Sequence, residues 1–213
     1  MSLVDYPEKI STVVFTSGCN MDCTYCHNYE LKIMKEGTIH ESEIINYIRE
    51  KKKVLDGIVI TGGEPSLHMN ELIKFIKKIK KEFPSFSIKV DTNGSSKKFI
   101  KEIIPIVDFI AIDFKGTDYR IFSEYDTEII LENIALLDDY GHDNYEIRIT
   151  MYPDYVKEED FLKIAELLKG KKRVIIQQYR KNNDSDPEPY KKEILSKFSY
   201  ILKDYVKYVD IRE

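Results

Sequence analysis

The residues with the most chemistry in them form one run, Thr16-Ser17-Gly18-Cys19-Asn20-Met21-Asp22-Cys23-Thr24-Tyr25-Cys26-His27-Asn28. All 3 cysteines of the chain fall within it. An odd, tightly clustered set makes a poor disulfide framework and a good metal site. Thiolates are soft ligands suited to an iron–sulfur cluster or to zinc. A cubane cluster normally takes four cysteines, so Cys19, Cys23 and Cys26 would leave one iron without a protein ligand. By analogy with the open position of catalytic zinc sites, such an iron is a place where a substrate can coordinate. Two other readings stay open on these residues alone. Cys23-Thr24-Tyr25-Cys26-His27 matches the C-x-x-C-H haem-attachment pattern, although that leaves Cys19 unexplained. A structural zinc site would recruit His27 as its fourth ligand.

A loop of this kind needs a framework, and the rest of the chain supplies an alternating one. Short β-branched runs predict strands at 12–16, 57–61, 86–91, 107–113, 145–150, 173–178 and 208–211. Helix-period stretches fall between them, at 41–52, 69–82, 96–104, 127–140, 158–168 and 189–204. Such alternation implies an α/β fold with a parallel sheet covered by helices. No repeat, low-complexity tract or shift in composition marks a second domain, so residues 1–213 are expected to form one. The cysteine run follows the first strand directly, which places it at the C-terminal end of the sheet. A polar stretch at 180–189 follows the sixth strand in the same way.

Side chains alternate between the two faces of a strand. Ile110, Ile112 and Phe114 therefore share one face, and Ala111, Asp113 and Lys115 the other. Lys89 and Asp91 oppose Ile88 and Val90, while Arg148 and Thr150 oppose Ile147 and Ile149. A parallel strand buried on both faces is ordinarily apolar throughout. Charge gathering towards the C-terminal ends, where barrel active sites lie, points to a polar ligand cavity; the competing account is ion pairing between strands. Arg148 could equally pair with Glu146, two positions away on its own face.

Composition sets outer limits. The formal net charge of −4 argues against a general nucleic-acid binder, which shows a basic imbalance. The N-terminus has no basic segment followed by an apolar run, and no apolar stretch is long enough to span a bilayer. A cytoplasmic protein without membrane association is the expectation.

The motifs together resemble a known family. Cys-x3-Cys-x2-Cys after the first strand, with Gly62-Gly63-Glu64-Pro65 after the second, resembles the radical S-adenosylmethionine (SAM) superfamily, and the resemblance spans nearly the whole chain. More narrowly, Ser2-Leu3-Val4-Asp5-Tyr6-Pro7, the Cys-Asn-x-x-Cys-x-Tyr-Cys-His-Asn run, Asp91-Thr92-Asn93-Gly94 and Asp113-Phe114-Lys115 resemble the activating enzymes of glycyl radical enzymes. Within these, they are most similar to anaerobic ribonucleoside-triphosphate reductase activating proteins. Glu8 departs from the glycine that such relatives often carry in Asp-Tyr-Pro-Gly-Lys.

That resemblance implies an incomplete (βα)6 TIM-like barrel of the radical SAM type. It implies a [4Fe–4S] cluster on Cys19, Cys23 and Cys26, with SAM bound at the fourth iron. One electron passed to the sulfonium would yield a 5′-deoxyadenosyl radical, which abstracts hydrogen from a backbone glycine of a partner protein. A flavodoxin- or ferredoxin-type donor would supply the electron. SAM would lie against Gly62 and Gly63, whose lack of a Cβ permits close backbone approach, with Glu64 accepting from the methionine ammonium. A plain turn leading into a helix is the bland alternative for these four residues. Tyr25 would lie near the adenine, and Lys115 and Arg148 would meet the methionine carboxylate. By the same similarity, Asp91, Thr92 and Asp113 would hold a monovalent cation. Gln178, which shares a face with Arg180, is favoured over Gln177 as the glutamine turned towards the site. Two rivals remain at the level of sequence: a radical SAM enzyme acting on a small molecule or RNA, similar to 7-carboxy-7-deazaguanine synthase, and a non-catalytic zinc-binding or electron-transfer module.

Overall fold

The computed structural model describes residues 1–212. Strands and helices alternate as β1 (Ser11–Thr16), α1 (Glu41–Lys51), β2 (Gly57–Gly62), α2 (Met69–Glu82), β3 (Ser87–Thr92), α3 (Lys97–Ile103) and β4 (Phe109–Asp113). They continue as α4 (Thr127–Asp139), β5 (Tyr145–Thr150), α5 (Phe161–Leu167), β6 (Arg173–Gln177), α6 (Lys192–Leu202) and β7 (Tyr208–Arg212). The strand order in the sheet is the chain order, β1-β2-β3-β4-β5-β6-β7. Among the described residues no helix is long and apolar enough to cross a membrane.

The chain forms two interleaved compact units. One comprises residues 1–20, 28–92 and 96–110, the other residues 21–27, 93–95 and 111–213. In the first, β1 pairs parallel with β2 from Ser11↔Gly57 to Thr16↔Gly62, and β2 pairs parallel with β3 from Gly57↔Ser87. Gly57 is required there, because a Cβ would collide with the carbonyl oxygen of Ser87. The helix α2 shows how composition sets orientation: Leu72, Phe75, Ile76 and Ile79 are buried at helical spacing while Lys77, Lys78 and Lys81 stay exposed. The start of α1 is fixed by a capping box, with the His40 N–H donating to Glu43 Oε1 at 2.9 Å.

In the second unit β5 pairs parallel with β6 from Ile147↔Val174, and β6 with β7 from Arg173↔Tyr208. Ile147 and Ile149 share a buried face with Val174 and Ile176, and the buried rings of Phe161 and Phe198 stack at 4.3 Å. The edges of two helices differ from expectation for local reasons. The acidic triplet Glu158–Asp160 forms a 3₁₀ turn, so the α-helix begins at Phe161. The last helix begins at Lys192 rather than near Pro189. Tyr190 is held out of it: its carbonyl accepts from Gln178 Nε2 and its hydroxyl donates to the Val156 carbonyl.

Candidate functional site

In the first unit the residues after β1 and β2 are bound to each other. Gly63 N donates to the Thr16 carbonyl at 2.8 Å and Glu64 N to the Gly18 carbonyl at 2.7 Å. Gly62 has φ of +119°, and a Cβ on it would strike the Thr16 backbone. A Cβ on Gly63 would strike the Gly18 carbonyl oxygen. The close approach these glycines permit is therefore one between two backbones, the Gly-Gly-Glu-Pro turn and the loop that carries Cys19. That loop is further fixed by Gly18 N and Cys19 N, which donate to Leu31 and Lys32 carbonyls at 2.7 and 3.0 Å. His68 Nε2 lies 2.6 Å from the Ser17 carbonyl, a tether the sequence did not announce.

Glu64 is fully buried. Its Oε1 accepts from Ser66 N at 3.0 Å and from Thr92 Oγ1 at 2.6 Å. Glu64 and Thr92, singled out separately by sequence, thus form one hydrogen-bonded pair, and Glu64 also caps the turn begun by Pro65. Asp91 pairs with Lys89 at 2.8 Å. Lys89 is 1% exposed, donates to the Asp5 carbonyl at 2.7 Å and lies 5.9 Å from the Phe109 ring centroid. Sequence reading saw the charge of Lys89 but not its partners, since periodicity gives a face and not a neighbour.

In the second unit Cys23 is buried and Cys26 half-buried. Cys26 N donates to the Cys23 carbonyl at 3.3 Å, closing a turn. The run is anchored by Asp22 N to the Phe122 carbonyl at 2.7 Å and by Thr24 N to the Tyr155 hydroxyl at 3.1 Å. Tyr25 sits in an aromatic cage, with the rings of Tyr152, Tyr155 and Tyr179 at 5.1, 5.5 and 6.4 Å. Lys115 Nζ lies 5.7 Å from the Tyr25 ring centroid. Burial raises the Tyr25 phenol well above its ordinary pKa, against the opposing pull of Lys115, so it stays protonated.

Asp113 is the electrostatic centre of this unit's residues. Arg148 donates to its Oδ1 through Nε and Nη2, both at 2.8 Å, and Lys115 Nζ lies 3.4 Å from its Oδ2. Burial pushes the Asp113 carboxyl up, but Arg148 and Lys115 together outweigh it and hold the group below its usual range. Burial pulls Lys115 down, yet Tyr25, Asp113 and Cys23 leave it raised well above an ordinary lysine. Arg148 thus reaches Asp113, and Glu146 takes Arg212 in a two-pronged contact at 2.9 and 2.6 Å. Gln178 lies just past β6, where its Nε2 donates to the Tyr179 and Tyr190 carbonyls at 3.1 and 3.2 Å. The loop 180–189 is organised on Asp186, whose Oδ2 accepts from Asn182 N, Asn183 N and the Tyr179 hydroxyl.

None of the three cysteines is in a disulfide. Among the described residues no three His, Cys, Asp or Glu side chains are gathered as a ready-made site for a single metal ion. A soft set of three thiols, none spent on a disulfide, fits an iron–sulfur cluster.

The radical SAM superfamily profile matches residues 13–168. A provisionally named glycyl-radical enzyme activating enzyme of Methanocaldococcus jannaschii is 35% identical, over 100% of this chain and 92% of its own. The pyruvate formate-lyase-activating enzyme of Streptococcus mutans is 28% identical, over 80% of this chain and 70% of its own. Among solved structures, a domain of the pyruvate-formate lyase-activating enzyme of Bacteroides vulgatus superposes with a TM-score of 0.59 at 25% identity, covering 72% of this chain and 98% of that one. Streptococcus suis SuiB bound to S-adenosylmethionine superposes with a TM-score of 0.72 at 12% identity, over 94% of this chain. The chain spans 50% of SuiB's length, and that likeness is one of fold.

Proposed function

The chain belongs to the radical SAM superfamily, and on that footing we propose that it generates a glycyl radical on an anaerobic ribonucleotide reductase. It is a homologue of glycyl radical enzyme activating enzymes, in a superfamily of α/β partial barrels that use a [4Fe–4S] cluster and SAM. The observation that carries the reading is the Cys19, Cys23, Cys26 spacing directly after β1, with the turn after β2 hydrogen-bonded to that loop through Gly63 and Glu64. The choice of partner is supported by the N-terminal Ser2-Leu3-Val4-Asp5-Tyr6-Pro7 sequence.

Cys19, Cys23 and Cys26 would hold the cluster as thiolates. When bound, cluster and SAM supply one-electron cleavage of a carbon–sulfur bond and with it hydrogen abstraction from the substrate. The chain's own residues orient the cofactor. Gly62 and Gly63 keep the turn flush against the Cys19 loop, and Glu64 with Thr92 locks it there. Lys115 and Arg148 supply positive charge for a carboxylate, Tyr25 offers a neutral aromatic surface, and Gln178 pins the chain after β6. A monovalent cation at Asp91, Thr92 and Asp113 would compete with Lys89 for Asp91, and with Arg148 and Lys115 for Asp113. A flavodoxin- or ferredoxin-type protein would donate the electron.

The test is electron paramagnetic resonance after mixing the reconstituted, reduced protein and SAM with a purified anaerobic ribonucleotide reductase, and separately with a pyruvate formate-lyase. A glycyl radical signal on the reductase is expected. A signal on the lyase alone, or on neither, overturns the partner assignment.

A further inference from the structure

One edge of β1 is paired along its whole length with β2. On the other edge Ser2 forms an antiparallel bridge with Ser11, exchanging hydrogen bonds of 2.7 and 2.9 Å. Backbone groups alternate between the two edges of a strand, so Val13 and Phe15 present theirs to the same edge as Ser11. Among the described residues no other strand or loop pairs with them there. Further along, the edge is closed again where Gly18 N and Cys19 N bond Leu31 and Lys32 carbonyls. What remains is a gap in the edge between two covered ends, leading in sequence straight to Cys19.

Two cavities follow one another along this gap. The first, of about 550 Å³, is lined by Thr12, Val13 and Val14 together with Ile39, Glu43 and Glu50. The second, of about 360 Å³, is lined by Phe15, Thr16 and Ser17 with Glu30 and Glu36 among the facing residues. Proteins ordinarily blunt an open edge with lysine, proline or a bulge. Ser11–Thr16 reads Ser-Thr-Val-Val-Phe-Thr and carries neither charge nor proline. Phe15 is 53% exposed and Ile39 64%. The charge beside this apolar edge is predominantly acidic: the first cavity has Glu43 and Glu50 with no lysine or arginine in its lining, and the second sets Glu30 and Glu36 against Lys35.

We propose that this edge is a docking site for an extended segment of the partner protein, with alternating apolar and basic side chains, added antiparallel in line with Ser2. This rests on the reading that the substrate is a protein. Main-chain hydrogen bonds to Val13 and Phe15 supply the affinity, and the flanking cavities select the side chains, as in strand addition generally. A second copy of this chain is the less complementary occupant, because it would bring one acidic groove against another.

The test uses the full chain and three blocked eight-residue peptides: alternating valine and lysine, alternating valine and glutamate, and the valine–lysine peptide with every second backbone nitrogen methylated. Amide hydrogen exchange is read alongside affinity. The valine–lysine peptide is expected to bind, to slow exchange at Val13 and Phe15, and to weaken with added salt. The glutamate and methylated peptides are each expected to bind at least tenfold more weakly. The exposed substitution Glu50→Lys, a surface change, should narrow the lysine-over-glutamate preference severalfold. Equal binding of the methylated peptide, protection elsewhere, or loss of the free edge to self-association overturns the proposal. The functional reading fails separately: a protein that protects Val13 and Phe15 yet cleaves no SAM refutes that reading alone.

Discussion

Two carboxylates near the C-terminal ends of their strands, Asp91 in the first unit and Asp113 in the second, each have a lysine two positions away, and their surroundings differ sharply. Lys89 and Asp91 have side chains 1% and 8% exposed, and Lys89 is also committed to the Asp5 carbonyl. Asp113 is 30% exposed, with Lys115 and Arg148 at 11% and 14%. The first pair is deeply buried, and through the Asp5 carbonyl it ties the N-terminal segment to β3. The second is a half-open cluster in which Arg148 and Lys115 both reach the carboxylate of Asp113. The same local pattern of residues is closely buried in one place and half-open in the other, depending on which side of the acid the lysine lies and on what else reaches it.

The largest effect expected from breaking this contrast is on the closed pair. Lys89→Met leaves Asp91 buried without its lysine, and removing one partner of a buried pair typically costs about 3–5 kcal/mol. Urea denaturation should show that loss, with Lys89→Arg recovering part of it. A change below about 1 kcal/mol would mean that the pair behaves as a surface contact. Glu64→Ala comes next: it leaves the Thr92 hydroxyl without its acceptor, at a cost of about 1–3 kcal/mol, measurable in the same way.

These pairings also mark the limit of what was legible in the sequence. The strand and helix succession followed from β-branched runs and helical periodicity, and the spans Met69–Glu82 and Tyr145–Thr150 fall where the pattern put them. The cysteine run and the glycine turn were visible because their chemistry is local in sequence. Lys89 to Asp5, Glu64 to Thr92 and Arg148 to Asp113 were not, since each joins segments that periodicity treats independently. The charged strand faces suggested a cavity, and periodicity did not show that in β3 Lys89 and Asp91 pair with each other. The late start of α6 was hidden for a similar reason: what keeps Tyr190 out of the helix is a distant amide on Gln178 and a carbonyl on Val156.

The half-open cluster is expected to respond in the opposite sense to the closed pair. Arg148→Met should leave stability changed by about 1–2 kcal/mol, because Lys115 still faces Asp113, but should weaken SAM binding about tenfold, equivalent to about 1.4 kcal/mol. Calorimetry on the anaerobically reconstituted protein would show this; unchanged affinity would assign Arg148 to structure alone.

The smallest effect concerns the loop 180–189. Hydrogen bonds from Asn183 N and Asn182 N hold the Asp186 carboxyl below its ordinary value of 3.8. Its contribution is therefore fully present above that ordinary value and is lost as pH falls through the lower folded value. Nuclear magnetic resonance of the loop amides should show loosening on acidification, and Asp186→Asn should loosen the loop at neutral pH and flatten its pH response.

The account stands most directly on one comparison. Wild-type protein and Cys23→Ser are each reconstituted anaerobically with iron and sulfide, then given reductant and SAM, and 5′-deoxyadenosine is quantified. The account predicts cluster absorbance and 5′-deoxyadenosine from the wild type and neither from the variant. A wild-type protein that takes up stoichiometric zinc, forms no cluster and releases no 5′-deoxyadenosine would contradict it.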